Sequence, residues 1–198
     1  MFALNLPNVL TLLRILLVPV LVVVLLGETQ NGDLWAAIVF AVASATDAMD
    51  GYLARSRNAI TSFGKLMDPI ADKLLIIAAL VSLVSVDRLA PWVAMVIIAR
   101  ELTVTVTRMQ ATQHGLIIAS SWWGKAKTIV QVAAIFFLIA AGDPSPVWVD
   151  GLVYGAVAIT IVSGLDYFFG LRRVLREADA RREASGSATA AETEPTAP

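Results

Sequence analysis

Long apolar segments alternate with short polar connectors along most of the chain. A helix that crosses the roughly 30 Å hydrocarbon core of a bilayer needs about 20 residues. Segments close to this length are Asn8–Leu26, Leu34–Ala54, Lys65–Val86, Pro91–Met109, Lys125–Ala141 and Val147–Leu171. The connectors between them carry turn residues, such as Gly142, Pro144 and Pro146 before the last segment. The pattern predicts an all-α polytopic membrane protein with six transmembrane helices.

The pattern changes after Leu171. Arginines dominate the next stretch, and an Ala-, Ser-, Thr-, Glu- and Pro-rich end follows. Such a composition buries too little apolar surface to offset the entropy of folding. We therefore expect a membrane-embedded domain at 1–171 and a basic, then disordered, cytoplasmic tail at 172–198.

Basic residues fall mainly on one side of the predicted membrane. The second–third and fourth–fifth connectors and the C-terminal tail hold nearly all of them, whereas Arg88 lies alone on the opposite side. Cytoplasmic loops carry the excess of Lys and Arg in membrane proteins. The distribution predicts that both termini are cytoplasmic.

Composition supports a bilayer location and limits the metal chemistry. The chain is 58% hydrophobic and 16% charged, with a mean hydropathy of +0.75, whereas soluble domains carry about 25% charged residues. It has no cysteine and one histidine, which excludes disulfides, thiolate sites and multi-histidine sites. A metal would therefore depend on oxygen ligands, which favours Mg²⁺ or Mn²⁺.

Four acidic residues lie inside two neighbouring apolar segments. Asp47 and Asp50 are near the end of the second segment, and Asp68 and Asp72 are near the start of the third. The short connector Ser56–Gly64 makes the two segments a hairpin, so all four acids come to a similar depth near the cytoplasmic face. Spacings of three and four residues place each pair on one helical face. Carboxylates this close repel one another unless cations lie among them, so the pattern predicts two divalent metal ions.

Two structural alternatives apply to this region. The acids could instead form salt bridges at a wetted membrane edge with Arg55, Arg57, Lys65 and Lys73. Gly51 and Ala54 leave the acidic face nearly bare, which suits a nucleotide lying against the backbone, but small residues also serve close helix packing in membranes.

The hairpin carries a spaced motif. From Asp47 to Asp72 the chain matches D-x2-D-G-x2-A-R-x8-G-x3-D-x3-D at every defined position. This motif resembles the signature of the CDP-alcohol phosphatidyltransferase family, and the likeness extends from Leu6 to about Leu171. The resemblance implies a membrane enzyme of phospholipid biosynthesis that moves a phosphatidyl group from CDP-diacylglycerol to an alcohol and releases CMP.

The resemblance also implies roles for individual residues. Asp47 and Asp68 would bridge two Mg²⁺ or Mn²⁺ ions, Asp50 and Asp72 would each complete one metal site, and Asp72 would be the general base. The residues implied on the CDP-lipid side are Asn8, Thr11, Gly51, Ala54, Arg55, Thr61 and Gly64. A homodimer in a bacterial-type cell membrane is implied as well, with its active site at the cytoplasmic face and no nucleic-acid partner.

Basic residues of the fourth and fifth segments suggest the acceptor. Arg100 and Arg108 share one helical face, and Lys125 and Lys127 open the fifth segment. Together they form a candidate pocket for a phosphorylated alcohol. In the alternative interpretation, Arg100 pairs with Glu101 or an aspartate, and the lysines only fix orientation.

The wider sequence pattern favours one acceptor. The stretches around Asn8, Asp68, Arg100 and Lys125 are together most similar to the members of the family that use glycerol 3-phosphate. Inositol phosphate and phosphatidylglycerol are the alternative acceptors.

Two other classes of membrane protein also carry acidic residues in their helices. A membrane prenyltransferase would be expected to have more spans and two separate Asp clusters. A cation-coupled transporter would be expected to have acids along a transport path and an inverted repeat.

Overall fold

The computed structural model describes the backbone of residues 6–27, 29–57, 62–113, 122–142 and 144–192. It describes side chains within 9–27, 29–46, 70–112, 122–142 and 144–172, and at 176. Throughout these residues the protein is all-α, as predicted. Its helices are α1 (Leu6–Leu26), α2 (Gly32–Arg57), α3 (Ser62–Ser85), α4 (Pro91–Gln113), α5 (Trp122–Ala141) and α6 (Val147–Glu192).

Three of the described helices are long and apolar enough to cross a bilayer. Their apolar stretches are Val9–Leu26 in α1, Trp122–Ala141 in α5 and Val147–Arg172 in α6. In α2 the apolar stretch among the described side chains is Gly32–Thr46, and Asp47 and Asp50 follow it in the sequence. Charged residues also interrupt α3 and α4. The three apolar helices make the chain an integral membrane protein.

Tryptophans mark the ends of four helices. Trp35, Trp92 and Trp148 are exposed at the first turns of α2, α4 and α6, and Trp122 and Trp123 are exposed at the first turn of α5. Trp is enriched at both membrane–water interfaces, where its ring lies at the level of the lipid headgroups. Since α5 contains 20 residues, it spans about 30 Å at 1.5 Å per residue, which is the distance between two such belts.

The helices pack around one apolar core. Helix α1 lies against α2 and α3, α5 lies against α2 and α6, and α4 lies against α3 and α6. Large buried side chains such as Phe40, Leu80 and Ile139 fill the centre. Buried alanines such as Ala36 and Ala79 let the helices approach closely, as membrane helices require for van der Waals contact.

Three chain segments meet at the end of the bundle opposite the acidic hairpin. Arg88, in the turn between α3 and α4, donates to both carboxylate oxygens of Asp33 at 2.6 and 3.0 Å. Asp33 is in the first turn of α2, where a negative charge favours the helix dipole. Gly142 follows α5 with φ of 69°, and a Cβ there would lie 2.9 Å from Asp33 Oδ2. The chain therefore needs glycine at 142.

Helix α6 continues farther than the sequence suggested. We expected the last helix to end at Leu171 and a basic, then disordered, tail to follow, whereas the helix extends to Glu192. Residues 172–192 are rich in Arg, Ala and Glu, which have high intrinsic helix propensity, and the helix that precedes them provides the nucleus.

Candidate active site

A cavity of about 520 Å³ lies between α2, α3 and α5. Asp72 is the one charged side chain among the described residues that line it, and Ser44 and Thr128 contribute hydroxyls. The remaining wall is apolar and includes Phe40, Leu75, Ile76, Ile129, Val132, Ala133, Phe136 and Phe137. From Thr128 to Phe136 the wall follows α5 for about 12 Å. The cavity can therefore hold an amphipathic molecule with its polar end beside Asp72.

Asp72 has a cationic neighbour. Lys73 Nζ donates a 2.7 Å hydrogen bond to Asp72 Oδ2, and the Asp72 side chain remains 33% exposed. The salt bridge that we considered as an alternative at this position is thus present. A carboxylate has about four lone-pair sites on its two oxygens, so this one bond leaves Asp72 able to bind a metal ion or accept a proton.

A buried carboxylate connects three helices next to Asp72. Glu101, on α4, is 3% exposed. Its Oε2 lies 2.8 Å from Lys73 Nζ, and its Oε1 accepts a hydrogen bond from Lys127 Nζ on α5. Arg100 Nη1 lies 3.5 Å from the same Oε1. The pairing of Arg100 with Glu101 that we considered as an alternative is therefore present too.

Polar contacts extend from this cluster towards α6. Arg100 Nη2 donates a 2.6 Å hydrogen bond to the buried Ser163 Oγ. Two turns further along α4, the Arg108 guanidinium lies over the Tyr167 ring, 5.9 Å from its centroid. Arg100 and Arg108 thus lie on one face of α4, as predicted, and both contact α6.

The four predicted acceptor residues occupy different environments. Arg108 and Lys125 are exposed. Arg100 is half-buried against Ser163, and Lys127 is buried against Glu101. The structure brings Arg100 and Lys127 together at one carboxylate, whereas Lys125, two residues before Lys127, lies outside that contact.

Most of the predicted metal and CDP-lipid residues lie outside the described side chains. This applies to Asn8, Asp47, Asp50, Gly51, Ala54, Arg55, Thr61, Gly64 and Asp68. Among the described residues, no group of three or more His, Cys, Asp or Glu forms a metal cluster, since Asp72 is the only one of the four acids included. Thr11 is described, and it is buried in α1. Helices α2 and α3 contact each other, as the predicted hairpin requires.

Sequence reasoning gave no role to two buried polar residues and only part of the role of Lys73. We assigned no role to Arg14, which is fully buried in α1, or to Ser163 in α6. The double contact of Lys73 was also not expected. Arg14 had a usable signal, because a cation inside an apolar span generally has a functional or structural partner. Ser163 had none, since serine is common in membrane helices.

Comparison with known proteins identifies similar chains. A family model described as CDP-alcohol phosphatidyltransferase matches residues 4–162. A CDP-diacylglycerol–glycerol-3-phosphate 3-phosphatidyltransferase of Bacillus subtilis (strain 168) is 41% identical over 83% of this chain and 93% of its own. A probable phosphatidylglycerophosphate synthase of Mycobacterium tuberculosis (strain CDC 1551 / Oshkosh) is 41% identical over 87% of this chain and 83% of its own. A Salmonella choleraesuis (strain SC-B67) protein with the same name as the Bacillus relative is 36% identical over 85% of this chain and 95% of its own.

Proposed function

The chain belongs to the CDP-alcohol phosphatidyltransferase family, and from that premise we propose that it transfers the phosphatidyl group of CDP-diacylglycerol to glycerol 3-phosphate. The products are phosphatidylglycerophosphate and CMP. The observation that carries the proposal is the 41% identity to a Bacillus subtilis relative named for this reaction, over most of both chains.

The cavity beside Asp72 suits the lipid substrate. CDP-diacylglycerol joins a charged diphosphate to two apolar chains. The diphosphate would lie at the Asp72 end, and an acyl chain would extend along the apolar wall towards Phe136 and Phe137. Ligand sites generally combine such apolar walls with a few placed polar groups. On the nucleotide side we retain Asn8, Thr11, Gly51, Ala54, Arg55, Thr61 and Gly64 as the proposed contacts.

The residues of the hairpin fit divalent metal ions. Asp72 presents a partly exposed carboxylate to the cavity, and among the described residues Lys73 contacts its Oδ2. All four proposed ligands, Asp47, Asp50, Asp68 and Asp72, are oxygen donors of the kind that Mg²⁺ and Mn²⁺ prefer. When bound, two such ions supply charge neutralisation at the diphosphate.

The reaction requires one proton transfer and one displacement at phosphorus. A hydroxyl of the acceptor gives its proton to the Asp72 carboxylate, which acts as general base. The acceptor oxygen then forms a bond to the phosphorus that carries diacylglycerol, and the bond from that phosphorus to the oxygen of CMP breaks. Lys73 holds Asp72 Oδ2 throughout.

The acceptor phosphate would lie near the basic residues of α4 and α5. Arg108 and Lys125 are exposed and available to it. Arg100 and Lys127 would add positive potential from within the bundle, or exchange part of their contact with Ser163 and Glu101 for the phosphate. Arginine forks and lysine charges both bind phosphate well.

We further propose six membrane crossings with both termini and the active site on the cytoplasmic side. The exposed tryptophans at the starts of α2 and α4 support crossings by these two charged helices. Residues 1–171 would form the membrane-embedded catalytic domain and residues 172–198 a cytoplasmic tail. The functional unit would be a homodimer.

The decisive assay uses the full-length protein in detergent–lipid micelles with labelled CDP-diacylglycerol and Mg²⁺. Glycerol 3-phosphate, inositol phosphate and phosphatidylglycerol are offered in parallel, and each product is identified. We expect CMP release with glycerol 3-phosphate, loss of activity in EDTA, and recovery with Mg²⁺ or Mn²⁺. A product from another acceptor alone would change the assigned substrate. No CMP release with any acceptor would contradict the enzyme assignment and leave a transporter as the alternative.

A further inference from the structure

The Glu101 carboxylate is the most heavily paired acidic group among the described residues. Only 3% of its side chain is exposed, and both of its oxygens have cationic partners. Lys73 comes from α3 and Lys127 from α5, so one carboxylate holds three helices together. A buried charge persists in a protein only when such partners compensate its lost hydration.

Lys73 makes two contacts with the same ammonium group. Its Nζ lies 2.8 Å from Glu101 Oε2 and 2.7 Å from Asp72 Oδ2. Adjacent residues of an α-helix project about 100° apart and do not face each other. A lysine side chain is also a flexible four-carbon stem. Helix α3 alone therefore does not fix the ammonium against Asp72, and the second anchor comes from α4.

The exposure of the two lysines differs. Lys73 keeps 22% of its side chain exposed, whereas Lys127 keeps 5%. Without the Glu101 charge, the Lys73 ammonium can turn towards water, but Lys127 remains enclosed. Loss of Glu101 therefore acts chiefly on the Lys73 contact, and through it on Asp72.

We propose that Glu101 is a positioning residue that fixes the Asp72 carboxylate through Lys73. Glu101 holds the lysine ammonium, the ammonium holds Asp72 Oδ2, and the carboxylate keeps one orientation towards the cavity that it lines. The inference rests on the proposed function, in which Asp72 binds a metal ion and accepts the acceptor proton. Residues that orient a metal ligand generally matter nearly as much as the ligand itself.

The test uses E101Q, K73M and the double variant of the full-length protein. E101Q keeps the size of the side chain and removes its charge. K73M removes the link but leaves Glu101 paired with Lys127 and Arg100. Mn²⁺ affinity is measured by the electron paramagnetic resonance signal of the free ion, and kcat and KM by CMP release. K127M is the matched control for Mn²⁺ affinity alone, because Lys127 contacts Glu101 Oε1 whereas Lys73 contacts Oε2.

We expect each single variant to weaken Mn²⁺ affinity and lower kcat by about 10–100-fold, with little change in the KM for glycerol 3-phosphate. In the double variant, Mn²⁺ affinity and kcat should fall by at most about threefold more than in the more impaired single variant, because the effects of coupled residues are not additive. K127M should leave Mn²⁺ affinity within about threefold of wild type, since Lys127 lies outside the link to Asp72.

Two results would overturn the proposal. One is equal Mn²⁺ affinity in the wild type and in both single variants. The other is losses that multiply in the double variant, as expected for independent structural defects. If E101Q does not elute as a monodisperse protein, K73M still tests the contact between Lys73 and Asp72, and an unchanged Mn²⁺ affinity in K73M overturns the proposal. The Mn²⁺ titration does not depend on turnover, so a wild type that binds Mn²⁺ but releases no CMP would contradict only the proposed reaction.

Discussion

Arg100 Nη2 donates a 2.6 Å hydrogen bond to Ser163 Oγ, and this contact joins α4 to α6 inside the bundle. The same guanidinium approaches Glu101 Oε1 through Nη1 at 3.5 Å. Arg100 is thus oriented from two sides by groups of the protein itself. Such pre-organisation reduces the entropy that a site loses when it binds its ligand.

Ser163→Ala should weaken acceptor binding. Without the hydroxyl, Arg100 loses one fixed partner, and a hydrogen bond to a charged group contributes about 1.5 kcal/mol or more. We expect the KM for glycerol 3-phosphate to rise by about tenfold, with the KM for CDP-diacylglycerol unchanged. Initial rates at varied acceptor concentration measure this. Ser145→Ala, at the opposite end of the bundle, is the control, and equal acceptor KM values in the two variants would argue against the role of Arg100.

Arg108→Gln should affect the acceptor more strongly than it affects the lipid. The exposed guanidinium would lose charged hydrogen bonds to phosphate, which are worth about 1.5–3 kcal/mol, so the KM for glycerol 3-phosphate should rise by about 10–100-fold. Arg172→Gln is a matched control, because Arg172 also lies over an aromatic ring of α6, that of Phe168. A similar KM increase in both variants would indicate only a general loss of positive charge.

Asp72→Asn should abolish most turnover and leave the fold intact. Asparagine keeps the shape of the side chain but cannot take the acceptor proton, and general base catalysis contributes about 10²–10⁴-fold to a rate. We expect kcat to fall by at least this factor, with elution and melting temperature close to wild type. Asp150→Asn, on the first turn of α6, should keep full activity. Full activity of Asp72→Asn would refute the proposed mechanism.

Ala133→Phe should narrow the cavity beside Asp72. Ala133 lines the cavity, and an added ring would occupy space that we assign to an acyl chain. CDP-diacylglycerol with long chains should therefore lose more kcat/KM than the dioctanoyl form. Ala140→Phe introduces the same ring on an exposed part of α5 and should not discriminate between the two lipids. Equal losses for both chain lengths in Ala133→Phe would place the acyl chains elsewhere.

Gly142→Ala should destabilise the end of the bundle opposite the active site. The residue has a φ of 69°, and the new Cβ would lie 2.9 Å from Asp33 Oδ2. A left-handed conformation costs a non-glycine residue about 1–2 kcal/mol, which corresponds to a melting temperature about 2–8 °C lower. Gly155→Ala is the control, because a Cβ at this α6 position meets nothing within 4 Å. The melting temperature of Gly155→Ala should not fall. A fall of equal size in both variants would show that the left-handed backbone at Gly142 is not the cause.

The pattern of apolar segments and turn residues along the sequence was sufficient to predict the helices and their order. Apolar segments bounded by turn residues give the bounds of the first five helices, and the start of α6, to within about four residues. The end of α6 was not predicted, since a polar composition alone does not distinguish a solvated helix from irregular chain. The four acids of the hairpin could be singled out as candidate metal ligands because charge inside an apolar segment is costly and therefore conspicuous. Their role stays a prediction.

Partners distant in sequence were not predictable in the same way. Lys73 and Lys127 are separated from Glu101 by 28 and 26 positions, and no periodicity relates residues on different helices. Their contact depends on how α3, α4 and α5 pack. Ser163 became a partner of Arg100 for the same reason.

The contacts of the Glu101 carboxylate also depend on the order in which the helices are synthesised. Lys73 leaves the ribosome before Glu101, and Lys127 leaves it afterwards, so α4 is synthesised while one counterion of Glu101 is still missing. Each unpaired charge at the centre of a helix costs about 2.5–3.5 kcal/mol during insertion. Helix α4 therefore reaches its most stable position only after α5 has been made, and α5 also supplies one wall of the cavity beside Asp72.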